Sequence, residues 1–446
     1  MTHPARLTRT MGLPALLLFG LAYLAPLIVL GIFGVVAQTT AGATPSAYAV
    51  ALIAMLFTAS SYGRMAATYP VAGSAYAYVR QAIDSRVGFL VGWAVLLDYL
   101  FLPMVIWLIG GAYLSDRFPA VPGWVWILLF IGVTTALNIV GIKIAKTANF
   151  ILMAFQFIVI AAFVALSIAS VITRAGPQGL FSLEPFFNHH TSVGGISAGA
   201  AIAAYSFLGF DAVTTLTEEV TEPRKTVPRA IMLTALIGGA IFVVVAYTTQ
   251  LVHPGASFKD PSSAAAEIAL TIGGDLFGAI FLAGLVLAQF ASGIAAQAAG
   301  SRLIFAMARD GVLPRRLFGG LSQRFSTPVA SIVFTGLVGM LALFMNVATS
   351  TSFINFGAFT AFTAVNLSVI ALYLKDWRAK VRRGLVSNLI VPALGAAIDL
   401  WLLCKLDGNA IRLGLTWLSI GVVVLLFLTR GLRQPAPSVA LEDQPV

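Results

Sequence analysis

The sequence predicts an all-α polytopic membrane protein of twelve transmembrane helices, and three observations carry that prediction. Hydrophobic residues make up 59% of the 446 positions and charged ones only 10%, with a mean hydropathy of +0.94. A soluble core of this length cannot hide so much apolar surface. Apolar runs of about 20 residues, enough to cross a bilayer as a helix, recur between short loops. The basic residues alternate between loops: with the N-terminus in the cytoplasm, all 27 Lys and Arg lie inside except Arg117, Arg174, Lys259, Lys405 and Arg412. That bias is the positive-inside rule, and it puts both termini in the cytoplasm.

The apolar cores fall near 14–37, 46–67, 87–113, 123–141, 148–173, 194–217, 229–252, 276–301, 328–347, 352–374, 386–404 and 410–430. The first follows Arg6 and Arg9 closely, as the core of a signal peptide would, but it is too long and closes on no small-residue cleavage site, so it reads as the first span. One membrane body is expected, with a cytoplasmic N-terminus 1–13, five spans over 14–174, an external loop 175–193, five spans over 194–374, two more over 375–431 and a cytoplasmic tail 432–446.

The net charge of +10 is scattered over separate loops instead of lining one face, which argues against a nucleic-acid partner. The one cysteine, Cys404, sits in an apolar run and reads as packing. His189 and His190 stand in the external loop without companion ligands, so no metal and no cofactor is expected. A catalytic motif of the His-Glu-x-x-His kind is missing, and no catalytic residues are assigned. A channel would show a filter loop or a ring of like residues, and neither is evident. No Gly-x-x-x-x-Gly-Lys-Ser/Thr motif occurs, so uphill movement of a solute would draw on an ion gradient or on exchange.

Asp98 and Asp211 lie within apolar spans. A carboxylate there costs a few kcal/mol, so it faces a cavity, a partner or a solute path. Asp399, in the eleventh span, reads as structural. Two spans are also interrupted: the first by Pro26, Gly31 and Gly34, the sixth by Gly209 next to Asp211. Proline removes an N–H and glycine tolerates unwinding, and matching breaks in the two halves point to a central binding site.

The loops around these spans carry recognisable wording. Tyr62-Gly-Arg64, Tyr69-Pro-Val-Ala-Gly-Ser-Ala-Tyr76, Gly88-Phe-Leu-Val-Gly-Trp93 and Glu218-Glu219-Val-Thr-Glu-Pro223-Arg-Lys-Thr-Val-Pro228 resemble the amino acid–polyamine–organocation permeases. Leu97-Asp98-Tyr99-Leu-Phe-Leu-Pro103, Ser206-Phe-Leu-Gly-Phe-Asp211, Phe258-Lys-Asp-Pro261 and Ile354-Asn-Phe-Gly-Ala358 are most similar to the bacterial putrescine importers of that family. At Gly31 the chain departs from that subgroup, which carries an acid there. The resemblance implies the leucine-transporter fold, a five-plus-five inverted repeat with two added helices, working by alternating access in a bacterial inner membrane.

The expected substrate site comprises Tyr23, Pro26, Gly31, Asp98, Tyr99, Phe207, Gly209, Phe210 and Asp211. Carboxylates and aromatic faces suit the ammonium groups of a small amine such as putrescine. Backbone N–H groups at an unwound half-helix would suit an α-amino acid carboxylate instead. A proton would be carried by a desolvated carboxylate, with Asp98, Asp211, Glu218 and Glu219 as candidates. Sodium would want hydroxyls such as that of Ser292. The resemblance further implies that Phe207 closes over the solute from outside, with Glu218, Glu219 and Arg64 holding the inner mouth shut.

Overall fold

The computed structural model describes residues 11–70, 74–141, 146–322 and 327–436, apart from 310–312 and 323, with residues 324 and 325 also described and 326 not. Arg6, Arg9, Val71 to Gly73 of the second motif, Lys143 and the tail beyond 436 lie outside these residues, as does the side chain of Glu218.

The described residues are helical throughout, apart from loops and a single parallel backbone bridge between Met11 and Val220. Eleven stretches are long and apolar enough to cross a bilayer. The expected span at 328–347 is the exception, because its helix α13 (Val329–Gly339) tightens into a 3-10 turn over Met340–Phe344.

Helix starts follow local chemistry. Pro45 stands in the first turn of α4 (Thr44–Thr68), where its missing N–H has no partner to lose. Asp84 caps α6 (Ser85–Arg117) through the N–H of Arg86 at 2.7 Å, and Ser192 caps α9 (Val193–Ala203) through Gly195 at 3.0 Å. Asn346 caps α14 (Val347–Arg378) through Thr349 at 2.8 Å. Each cap satisfies an orphan donor that the bilayer could not.

Burial separates inner from outer helices. The windows within α4, α6, α14 and Val193–Thr217 are 61%, 67%, 61% and 72% buried, against 28% for α7 (Gly123–Val140) and 17% for α16 (Gly408–Leu428). Outward positions such as Ile151, Ile158, Leu276, Val423 and Phe427 form the apolar surface that lipid would cover. Inside, α10 (Pro223–Val252) packs along α4, and α11 (Ala264–Arg309) along α6. α11 bends at Gly274, where φ is 66°, so its first turns run apart from the part that spans.

Candidate functional site

The first span breaks where its sequence requires it. α1 (Leu13–Leu24) ends before Pro26, whose ring clashes with the carbonyl one turn back and drives Ala25 out of the right-handed helical region. Ala25 sits at φ 46°, ψ 78°, uncommon for a residue with a Cβ and a mark of backbone held by its surroundings. The chain resumes as α2 (Ile28–Gly31) and α3 (Phe33–Thr39). The hydroxyl of Tyr113 on α6 donates to the Leu30 carbonyl at 2.7 Å, satisfying one group at the interruption.

The sixth span breaks differently. α9 tightens to a 3-10 turn over Ala204–Phe207, Leu208 is extended, and Gly209 takes φ 112° before a second 3-10 stretch over Asp211–Glu219. Asn355 of α14 donates to the carbonyls of Ala201 at 2.7 Å and Ile202 at 3.4 Å, which the ending helix leaves open. A side chain at Gly209 would run into the ring of Tyr23, so glycine is needed both for the dihedral and for the contact that joins the two breaks.

Around that junction Tyr23, Asp98, Tyr99 and Asp211 lie within electrostatic reach of one another, and Tyr205 lies within reach of Asp98. Asp98 Oδ1 is buried without a hydrogen-bond partner. Tyr23 also belongs to the wall of a cavity of about 260 Å³, shared with Ala25, Ile106, Gln156, Tyr205, Gln289 and Ser292. The cavity runs along the α1 side of the break, between α6, α11 and α8 (Lys146–Ala175).

The sequence-predicted residues divide accordingly. Tyr23 and Ser292 line the cavity, while Asp98, Tyr99 and Asp211 lie within electrostatic reach of Tyr23. Pro26 and Gly31 are buried at the break, and a Cβ on Gly31 would lie 3.9 Å from Gln289 Nε2. Of the nine residues expected at the substrate site, Tyr23 is among the walls of this cavity and the other eight are not, against the expectation of one shared lining. Phe207 is fully buried on Phe242 of α10, ring centres 5.1 Å apart, and Phe210 packs on Tyr62 and Phe362. Tyr205 and Leu208 are the residues of this stretch that line the cavity. Arg64 occupies the last turns of α4, its Nε buried without a partner. The Glu219 carbonyl accepts the Met11 N–H at 3.0 Å, and the Thr221 N–H returns to the Met11 carbonyl at 3.2 Å.

Nothing in the sequence singles out Gln156, Gln289 or Tyr205: an uncharged amide in Phe155-Gln-Phe157 or Ala288-Gln-Phe290 carries no charge whose burial would demand a partner.

A family model described as amino acid permease matches residues 16–403. The chain belongs to the amino acid permease family. It is an integral membrane transporter. It is 38% identical to the low-affinity putrescine importer PlaP of Escherichia coli K12, over 98% of this chain and 97% of that one. Similarity at 28% identity extends to a methylthioribose transporter of Bacillus subtilis, over 95% and 94% of the two chains. The branched-chain amino acid permease BcaP of the same organism is 26% identical with the same coverage.

Proposed function

We propose that this permease imports a small amine such as putrescine into a bacterial cell, coupled to protons, by alternating access. The observation that carries the reading is the pair of intramembrane carboxylates, Asp98 and Asp211, gathered with Tyr23 and Tyr99 at the meeting of the two broken spans. Buried carboxylates and aromatic rings bind an ammonium group, and a desolvated carboxylate also takes up a proton. The likeness to a putrescine importer over nearly its whole length supports that substrate class.

Twelve spans in a five-plus-five inverted repeat accord with the helix pairing. α4 packs on α10 and α6 on α11, so the second and third helices of one half meet their counterparts in the other. The short span, 11 residues of α13 and five of 3-10 turn, reaches about 27 Å, close to the ~30 Å of a hydrocarbon core. The basic loops support a cytoplasmic position for both termini. Phe207, seated against Phe242, seals the outer side. On the inner side the Met11 to Val220 bridge, next in sequence to Glu218 and Glu219, holds the mouth until the first span moves.

A second reading, sodium-coupled import or exchange of an α-amino acid, is favoured by Ser292, whose place in the cavity wall beside Ala22 to Ala25 offers a hydroxyl to a cation at the break. Uptake into proteoliposomes under an imposed pH gradient or sodium gradient separates the two. Putrescine uptake driven by the pH gradient, weakened by about 1.5–3 kcal/mol in Asp211→Asn, is the expected result. Strong competition by alanine with putrescine inert would reverse the ranking.

A further inference from the structure

The cavity wall holds two amides with nothing to bind. Gln289 of α11 is 5% exposed and Gln156 of α8 is 8% exposed. Gln289 Nε2 and Gln156 Oε1 are fully buried without a hydrogen-bond partner. Buried amides of this kind are ordinarily satisfied, because an unmade bond in an apolar setting is costly. A Cβ on Gly31 would lie 3.9 Å from Gln289 Nε2, so that nitrogen stands next to the first-span break.

Charge is distributed just as unevenly. Among the described residues no Asp, Glu, Lys or Arg is in the cavity's wall, and the two carboxylates of the site, within electrostatic reach of Tyr23, stand outside that wall. A second ammonium entering the cavity would be desolvated without a counter-ion, which is far more costly than leaving a neutral group there. An amide is uncharged and both donates and accepts, so it matches an uncharged polar group that does the same.

We propose that Gln156 and Gln289 form a subsite for the uncharged, hydrogen-bonding end of a solute whose single ammonium is held by Asp98 and Asp211. The substrate class is then an ω-amino amide or amino alcohol, in preference to a bare diamine. This rests on the amine-import reading and narrows it.

The test is competitive uptake in proteoliposomes of the full-length protein with three solutes of one chain length: 4-aminobutanamide, putrescine and 4-aminobutanoate. The wild-type protein is expected to take 4-aminobutanamide with a half-saturation concentration about tenfold below that of putrescine, the worth of one well-made hydrogen bond. Gln289→Leu and Gln156→Leu, each apolar and of similar volume, are expected to erase that preference while still carrying putrescine. Gln289→Glu, which adds a carboxylate to the wall, is expected to invert it toward the diamine. Putrescine uptake that 4-aminobutanamide does not inhibit, or a preference unchanged in both leucine variants, overturns the subsite and leaves amine import standing. Uptake of 4-aminobutanoate alone, or of none of the three, overturns both.

Discussion

Gln289 and Gln297 lie on the same helix about two turns apart, both buried, at 5% and 0% exposure. Gln297 is fully engaged. It accepts from Asn138 of α7 at 3.0 Å and donates to Thr135 at 2.7 Å and to the Ile332 carbonyl of α13 at 3.2 Å. Gln289 has an amide nitrogen without a partner and a cavity beside it. Residue type, helix and depth are nearly the same, and only the neighbours differ. Gln297 has spent its hydrogen bonds on the helices around it, whereas Gln289 keeps an unmade one beside a cavity.

The aspartates differ in what surrounds them. Asp399 of α15 (Val391–Leu403) is fully buried, and its Oδ2 accepts from Thr58 of α4 at 2.8 Å and Asn366 of α14 at 3.0 Å, while its Oδ1, like that of Asp98, has no partner. It ties a peripheral helix to the inner bundle. Asp98 stands at the two breaks with Oδ1 unpartnered and Tyr23, Tyr99 and Asp211 for company.

The largest effect that would sharpen this division is expected at Asp98. Asp98→Asn keeps the shape and removes the charge, so amine binding should weaken by about 1.5–3 kcal/mol, as for a hydrogen bond to a charged group. Binding titration of the purified protein measures it, and wild-type affinity in that variant would move the ammonium site elsewhere. Next comes Gln297→Leu, which removes the donor to Thr135 and one of the two acceptors of Asn138. Thermal unfolding in detergent should show a loss of about 1–2 kcal/mol, with uptake per folded molecule preserved. If transport falls while stability holds, the line between scaffold and path is drawn in the wrong place.

Gln289→Leu should show the opposite pattern, with folding stability within about 0.5 kcal/mol of wild type or slightly higher, because an unmade hydrogen bond is removed from an apolar setting. A stability loss as large as that of Gln297→Leu, read from the same unfolding curves, would mean that Gln289 is structural. The smallest effect is expected at Asp399→Asn. The amide oxygen still accepts from Thr58 and Asn366, so stability and proton-driven uptake should change by no more than about 0.5 kcal/mol equivalent. Loss of proton coupling in that variant would promote Asp399 from tie to proton carrier.

Most of the architecture was legible because its causes are local. Apolar runs, caps such as Asp84 and Ser192, and the placement of arginines and lysines act within a few residues. Pro26 breaks the first span by steric conflict with its own preceding turn, so its position could be named from the sequence. The ninth apolar run has the composition of an ordinary span, but its end winds as 3-10, which periodicity does not reveal over five residues. The site was legible in part. Tyr23, Asp98, Tyr99, Gly209 and Asp211 do come together, whereas Phe207 and Phe210 face other helices, since local winding sets the direction of a side chain.

By itself the sequence determined the membrane class, the helix runs, the two breaks and the cost attached to each buried charge, because these follow from transfer free energies and backbone sterics near each residue. Tertiary structure alone decided which polar groups have partners. Gln297 meets Asn138 across the bundle and Asp399 meets Thr58, while Gln289 meets a cavity. A hydrogen bond has a reach of about 3 Å, so whether one forms between residues far apart in the chain depends on the packing of whole helices.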